Sequence, residues 1–150
     1  MIRFLILPLF LACAGQQVIP DPHKEVPVSV EFRLTAGEVM RVTGTGLTVR
    51  FVRLVSDSRC PANVACIWEG DAEIEVELDL RGERSLARLH THGGAQHPTE
   101  TSISAYRVRL VGLGPSPQNR PRAESEYVAT LVVEKEVRTS HKARTPNRGT

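Results

Sequence analysis

A strict alternation of apolar and acidic residues runs through residues 72–80, and it constrains the fold more than any other feature. Every second position is apolar, and each position between is acidic: Ala72, Ile74, Val76, Leu78 and Leu80 against Glu73, Glu75, Glu77 and Asp79. This two-residue period puts the two sets on opposite faces of a β-strand. The segment therefore predicts a strand with one buried and one wet face.

The same type of segment recurs along the chain. Six further stretches are rich in β-forming apolar residues: 28–34, 39–43, 47–55, 85–91, 106–113 and 127–137. No convincing apolar stripe at helical spacing accompanies them. About seven strands with turn-rich connections predict an all-β domain over residues 28–137, an antiparallel β-sandwich (immunoglobulin-like) or a small barrel.

The turn that follows residues 72–80 gives a specific register. A two-residue type II′ turn needs glycine at its first central position, and Gly82 satisfies this requirement if the turn is Gly82-Glu83. Leu80 then faces Ser85 on the buried side. On the solvent side Glu75 faces His90, a pairing that favours the hairpin.

The first 13 residues predict a signal segment. Arg3 precedes an apolar run at residues 4–12, which has secretory length and is shorter than the ~20 residues that span a membrane. Residues 10–13 resemble a bacterial lipobox that would lipidate Cys13, and Ala14 then favours the outer membrane. Residues 12–14 alternatively fit ordinary cleavage. We predict an exported periplasmic or outer-membrane lipoprotein, with a soluble secreted protein as the alternative.

Both flanks of the predicted domain differ from it in composition. Residues 14–27 are polar with three prolines and predict a tether, whereas residues 138–150 predict a disordered basic tail. The whole chain has 19 Lys and Arg against 17 Asp and Glu, without a nucleic-acid footprint. We expect a monomer that contacts the membrane through its lipid anchor and binds no nucleic acid.

Two of the three cysteines enclose a short loop. Cys60 and Cys66 can pair in an oxidising compartment, which leaves Cys13 as the odd one. Five intervening residues do not suit a thioredoxin-type redox pair, which has two. We predict a structural disulfide on which Trp68 can pack. Gly70 predicts a bulge or a close backbone approach.

The sequence around this loop resembles a known signature. Residues 57–72 contain Asp-Ser-Arg-Cys-Pro, then Cys-Ile-Trp-Glu-Gly-Asp-Ala. This is similar to a widespread set of small bacterial secreted proteins and lipoproteins, mostly uncharacterised. The resemblance extends through residues 106–110 to 127–131, and the basic tail departs from it. It implies an exported β-domain without an established activity.

Exposed residues on a loop held by a rigid sandwich are candidates for recognition. Here they are Asp57, Arg59, Asn63 and Trp68. We predict a non-catalytic envelope domain that binds or supports a protein or glycan partner. One alternative is a secreted inhibitor that presents the loop between the cysteines to a protease.

Three histidines give another alternative, a periplasmic metal-binding protein. His90 and His92 share one face of a predicted strand, and the two glycines that follow allow His97 to fold back. With Glu73 and Glu75 opposite, a Zn²⁺- or Cu²⁺-type site is chemically sensible. The competing interpretation is a set of surface histidines paired with carboxylates.

Catalytic patterns are weak. Ser58 beside Asp57 lacks a turn that would activate a serine nucleophile. The acidic residues at 73–79 follow an open wet strand rather than a cleft that would raise one pKa. We therefore predict that the protein is not an enzyme and uses no cofactor.

Overall fold

The computed structural model describes residues 24–117 and 122–136. Within these residues the chain forms nine strands and one 3₁₀ turn, Glu124–Glu126. The strands are β1 Glu25–Val26, β2 Glu31–Thr35, β3 Val39–Val42, β4 Leu47–Asp57, β5 Ala72–Leu80, β6 Glu83–His90, β7 Glu100–Ile103, β8 Tyr106–Gly114 and β9 Val128–Lys135. No helix in the described residues has the length and apolar character needed to cross a bilayer.

The strands form two sheets. One has five strands in the order β1-β3-β4-β5-β6, and the other has four in the order β2-β9-β8-β7. The pairings are antiparallel except that of β1 with β3, which is parallel. The predicted all-β sandwich with one disulfide is confirmed. The described residues contain nine strands rather than about seven, because β1 and β7 are too short to show a period in the sequence.

The core lies between the inward faces of the two sheets. In β5 the apolar residues Ala72, Ile74, Val76 and Leu78 are all fully buried, as their alternation predicts. The largest fully buried side chain is that of Phe51 on the neighbouring strand β4. The two central strands of the larger sheet therefore supply much of the core.

The predicted hairpin register is wrong by two residues. Leu80 pairs with Glu83, so the central turn residues are Arg81 and Gly82, with φ of 55° and 96°. Positive φ at both central positions is the type I′ geometry that suits a two-residue hairpin. The Gly82 amide also donates to Asp79 Oδ1 at 2.8 Å, which fixes this turn. A shift of two leaves every side chain on its predicted face.

The folded part begins before residue 28. Strand β1 pairs Glu25 with Arg41 and Val26 with Val42, and Lys24 Nζ lies 2.7 Å from Glu38 Oε1. The predicted tether 14–27 is therefore too long, because Val26 is buried in the core. The predicted signal 1–13 with its lipidation residue Cys13, and the predicted tail 138–150, lie outside the described residues.

Candidate functional site

The β4–β5 hairpin continues outward past the ends of its two strands. The Ser58 amide donates to the Asp71 carbonyl at 2.7 Å, and the Cys60 amide donates to the Glu69 carbonyl at 2.8 Å. Cys60 and Cys66 are bonded, with 6.0 Å between their Cα atoms, which confirms the predicted disulfide. We call residues 60–69 the disulfide loop. It is held by the ladder at its base and by the disulfide within it.

Removing the disulfide should cost stability without removing the fold. Closure of a loop this short stabilises by about 2 kcal/mol in the chain-entropy account, because it restricts the unfolded chain. We expect Cys60→Ala/Cys66→Ala to lose about this much in urea unfolding. Reduced wild-type protein should show the same midpoint as the variant. An unchanged midpoint in both would contradict the prediction.

Gly70 makes the close backbone approach that the sequence predicts. Its φ is +68°, and a Cβ at this position would lie 1.9 Å from the Ser58 carbonyl oxygen. The two arms of the extended hairpin therefore come so close at Gly70 that its Cα has room for a hydrogen atom but not for a Cβ.

Three large apolar side chains of the disulfide loop face solvent, and we call them the apolar tip. Ile67 is 93% exposed, Trp68 82% and Val64 45%. The prediction that Trp68 packs on the disulfide is wrong. The ladder ends at the Cys60–Glu69 hydrogen bond, and among the described residues no strand pairs with the positions between those two. Asn63, also predicted for recognition, is exposed on the same loop.

Asp57 and Arg59, which the sequence predicts as part of a recognition surface, are instead withdrawn from solvent. Their side chains are 8% and 12% exposed, and they form a bidentate ion pair with two nitrogen–oxygen distances of 2.8 Å. Arg59 also donates to the carbonyl of Leu113 and, at 3.2 Å, to that of Pro115. We call this set the inter-sheet clamp, because it ties the end of β4 to the end of β8 in the other sheet.

The electrostatics of the clamp favour ionised Asp57. Burial alone raises the pKa of Asp57, but hydrogen bonds from the Arg59 side chain and amide outweigh it and leave the pKa below the usual value. Tyr127 donates a further hydrogen bond to this carboxylate. Burial and the same carboxylate raise the pKa of Tyr127. The clamp is therefore a charged structural link.

The histidines lie beside the base of the disulfide loop. His90 Nδ1 donates to Asp71 Oδ2 at 2.6 Å, and the rings of His90 and His97 are 4.6 Å apart. His92 points elsewhere, with Nε2 3.0 Å from Glu69 Oε2. Across the described ranges, no group of three or more His, Cys, Asp and Glu side chains is arranged to hold a metal ion.

Asp71 organises this cluster. Besides His90, its carboxylate accepts from the Thr91 hydroxyl at 2.9 Å and from the His92 amide at 3.0 Å. Burial raises the pKa of Asp71, but the His90 side chain and the His92 amide outweigh it and leave the pKa lowered. The carboxylates that the sequence predicts opposite the histidines have other partners in the structure. Glu73 pairs with Arg88 at 3.1 Å rather than with a histidine.

The acidic side chains of β5 are not uniformly exposed to solvent. Glu75 is 8% exposed and accepts from Arg53 at 3.1 and 3.2 Å. Asp79 pairs with Arg84 at 3.0 Å. These carboxylates therefore belong to cross-strand ion pairs on the outer face of the larger sheet.

Sequence reasoning missed three residues of this region, namely Val64, Ile67 and Asp71. The available signal was that Val64 and Ile67 are apolar and lie close to the cysteines in a short loop, where solvent-exposed residues are usually polar.

Comparisons with protein-family models, curated proteins and solved structures found no match. The resemblance to bacterial secreted proteins and lipoproteins therefore stays a prediction.

Proposed function

We propose that this chain is an exported, envelope-associated, non-catalytic binding domain, and that the apolar tip is its recognition surface. One observation carries the proposal: Ile67 and Trp68 are 93% and 82% exposed on a loop fixed by a disulfide. Tryptophan is enriched among residues that dominate binding energy. Covering each of these side chains is worth about 1.5–3 kcal/mol, which a partner would supply.

The rigidity of the disulfide loop supports the same proposal. Binding normally orders flexible segments at a free-energy cost, and a loop already fixed at its base and by the Cys60–Cys66 bond avoids much of that cost. All eight residues from 62 to 69 are exposed, and the Ala62 amide donates to the Pro117 carbonyl at 3.4 Å, which adds a further anchor to the loop. An exposed apolar surface of this kind suits a concave site on a macromolecule, whereas small ligands are enclosed by pockets.

A protein partner fits this surface better than a glycan. The aliphatic side chains of Val64 and Ile67 accompany Trp68, and such side chains gain most from an apolar protein cleft. An envelope protein with a cleft of this kind is the partner class we propose. The cleft of a secreted protease is a special case, and the inhibitor alternative follows from the same exposed tip.

Loss of the apolar tip should abolish partner capture. We expect Ile67→Ser/Trp68→Ala to reduce the recovery of a partner from envelope extracts by about tenfold or more, because both anchors are removed. Leu86→Ser is the matched control, since Leu86 is 60% exposed on β6, away from the disulfide loop. The measurement is quantitative mass spectrometry of captured proteins. Equal recovery with the tip variant and the control would refute the proposal.

Export is proposed on separate grounds. The disulfide supports an oxidising compartment, because such bonds rarely persist in the cytosol. Lipid attachment at Cys13 is tested by intact-mass measurement of the mature protein. A diacylglyceryl adduct on Cys13 supports the anchor, and a mature chain that starts at Gly15 refutes it.

A further inference from the structure

His90 and His97 are seven positions apart in sequence, and their rings lie next to each other in the structure. Their ring centres are 4.6 Å apart and the ring planes are tilted by 34°. Two imidazoles bound to one ion at metal–nitrogen distances of about 2 Å place their ring centres about 5 Å apart. The observed ring separation is therefore compatible with coordination of one ion by both rings.

Asp71 prepares one of the two rings for coordination. His90 Nδ1 donates to Asp71 Oδ2 at 2.6 Å, so the lone pair of neutral His90 is on Nε2. A carboxylate that fixes the tautomer of a histidine in this way is the usual outer partner of a metal ligand. The Asp71 carboxylate also adds negative charge next to the pair, which favours a cation.

Solvent exposure and the other contacts of each ring also distinguish this pair from the third histidine. The side chain of His90 is 12% exposed, and His97 is an exposed residue, so the pair lies near the protein surface. His92 instead directs Nε2 toward Glu69 at 3.0 Å. The structure therefore selects two histidines out of the three that lie close in sequence.

We propose that His90 and His97 form a two-histidine site for a divalent transition-metal ion of the Cu²⁺ or Zn²⁺ class. Imidazole nitrogen suits both ions, and Cu²⁺ binds more strongly to a given set of nitrogen ligands. The protein supplies two ligands, and water completes the coordination. The site is separate from the apolar tip and does not depend on the proposed partner.

The test is Cu²⁺ titration of the untagged full chain by calorimetry, with His23→Gln/His141→Gln as the common background so that His90, His92 and His97 are the remaining histidines. We expect one ion per chain. His97→Gln should weaken binding by about a hundredfold, and Asp71→Asn by about 10- to 100-fold, as for outer partners of ligating histidines. His92→Gln is the matched control and should change affinity less than about twofold.

Electron paramagnetic resonance of the Cu²⁺-loaded protein separates coordination from mere ring stacking. We expect coupling to two imidazole nitrogens in the background protein and to one in His97→Gln. Circular dichroism of each variant checks that the fold is kept. Absence of binding, affinity that is insensitive to His97→Gln, or an equal loss in His92→Gln would each overturn the two-histidine site.

Discussion

Replacement of Gly70 by alanine should destabilise the protein by about 3–5 kcal/mol, a large part of the stability of a domain of this size. The added Cβ would lie 1.9 Å from the Ser58 carbonyl oxygen and 2.7 Å from its carbon, both backbone atoms. Backbone cannot move aside as a flexible side chain can. The φ of +68° adds strain for any residue with a Cβ.

Gly44→Ala is the matched control for this substitution. Gly44 has a similar φ of +73°, but a Cβ there would meet no atom within 4 Å. Its loss should be limited to conformational strain, about 1 kcal/mol. The measurement is the free energy of unfolding from urea titrations of both variants. Equal losses in the two would show that the close approach at Ser58 does not determine stability.

Replacement of Arg59 by alanine should cost about 3–5 kcal/mol, because the buried Asp57 carboxylate loses its cationic partner and keeps only the backbone amide of residue 59 and the Tyr127 hydroxyl as donors. Asp57 is 8% exposed, and the carbonyls of Leu113 and Pro115 lose their shared donor as well. Asp57→Asn/Arg59→Ala should be more stable than Arg59→Ala alone, since it removes the orphaned charge. Arg84→Ala is the control, because Arg84 is 73% exposed in its pair with Asp79 and should cost less than about 1 kcal/mol.

Lowering the pH should reduce the difference in unfolding free energy between wild type and Arg59→Ala. The pKa of Asp57 is lowered in the folded protein from its ordinary value of 3.8, so the clamp contributes stability above pH 3.8 and loses it as the pH falls through the lower folded-state pKa. Unfolding free energies measured from pH 7 down to pH 3 test this. A difference that stays constant over this range would contradict the charged clamp.

The sheets were predictable from sequence because burial acts on alternate positions. The alternation at Ile74, Val76 and Leu78 determines which face of β5 enters the core, whatever its neighbours are. The register with β6 was not predictable in the same way. Two turns that differ by two residues bury the same side chains, and the structure uses a positive φ at Arg81, which a sequence pattern does not mark.

The candidate site was less predictable because its contacts are distant along the chain. Arg59 donates to carbonyls 54 and 56 residues away, so a pattern around the cysteines showed charged residues but not their burial. The bond between His90 and Asp71 spans 19 residues and depends on the observed register, in which His90 pairs with Glu73. The register predicted from sequence placed Glu75 opposite His90 and so missed Asp71.

Because the β4–β5 ladder extends beyond the sandwich, the residues that hold the hairpin in place differ from the residues that the loop exposes. Residues 58 and 60 and their partners 71 and 69 hold the hairpin by backbone hydrogen bonds, and residues 62–69 are exposed outside the core. We therefore expect the residues of the tip, apart from the cysteines, to tolerate replacement while the sandwich stays intact. We expect the sandwich to keep its fold when the loop between the cysteines carries a different sequence.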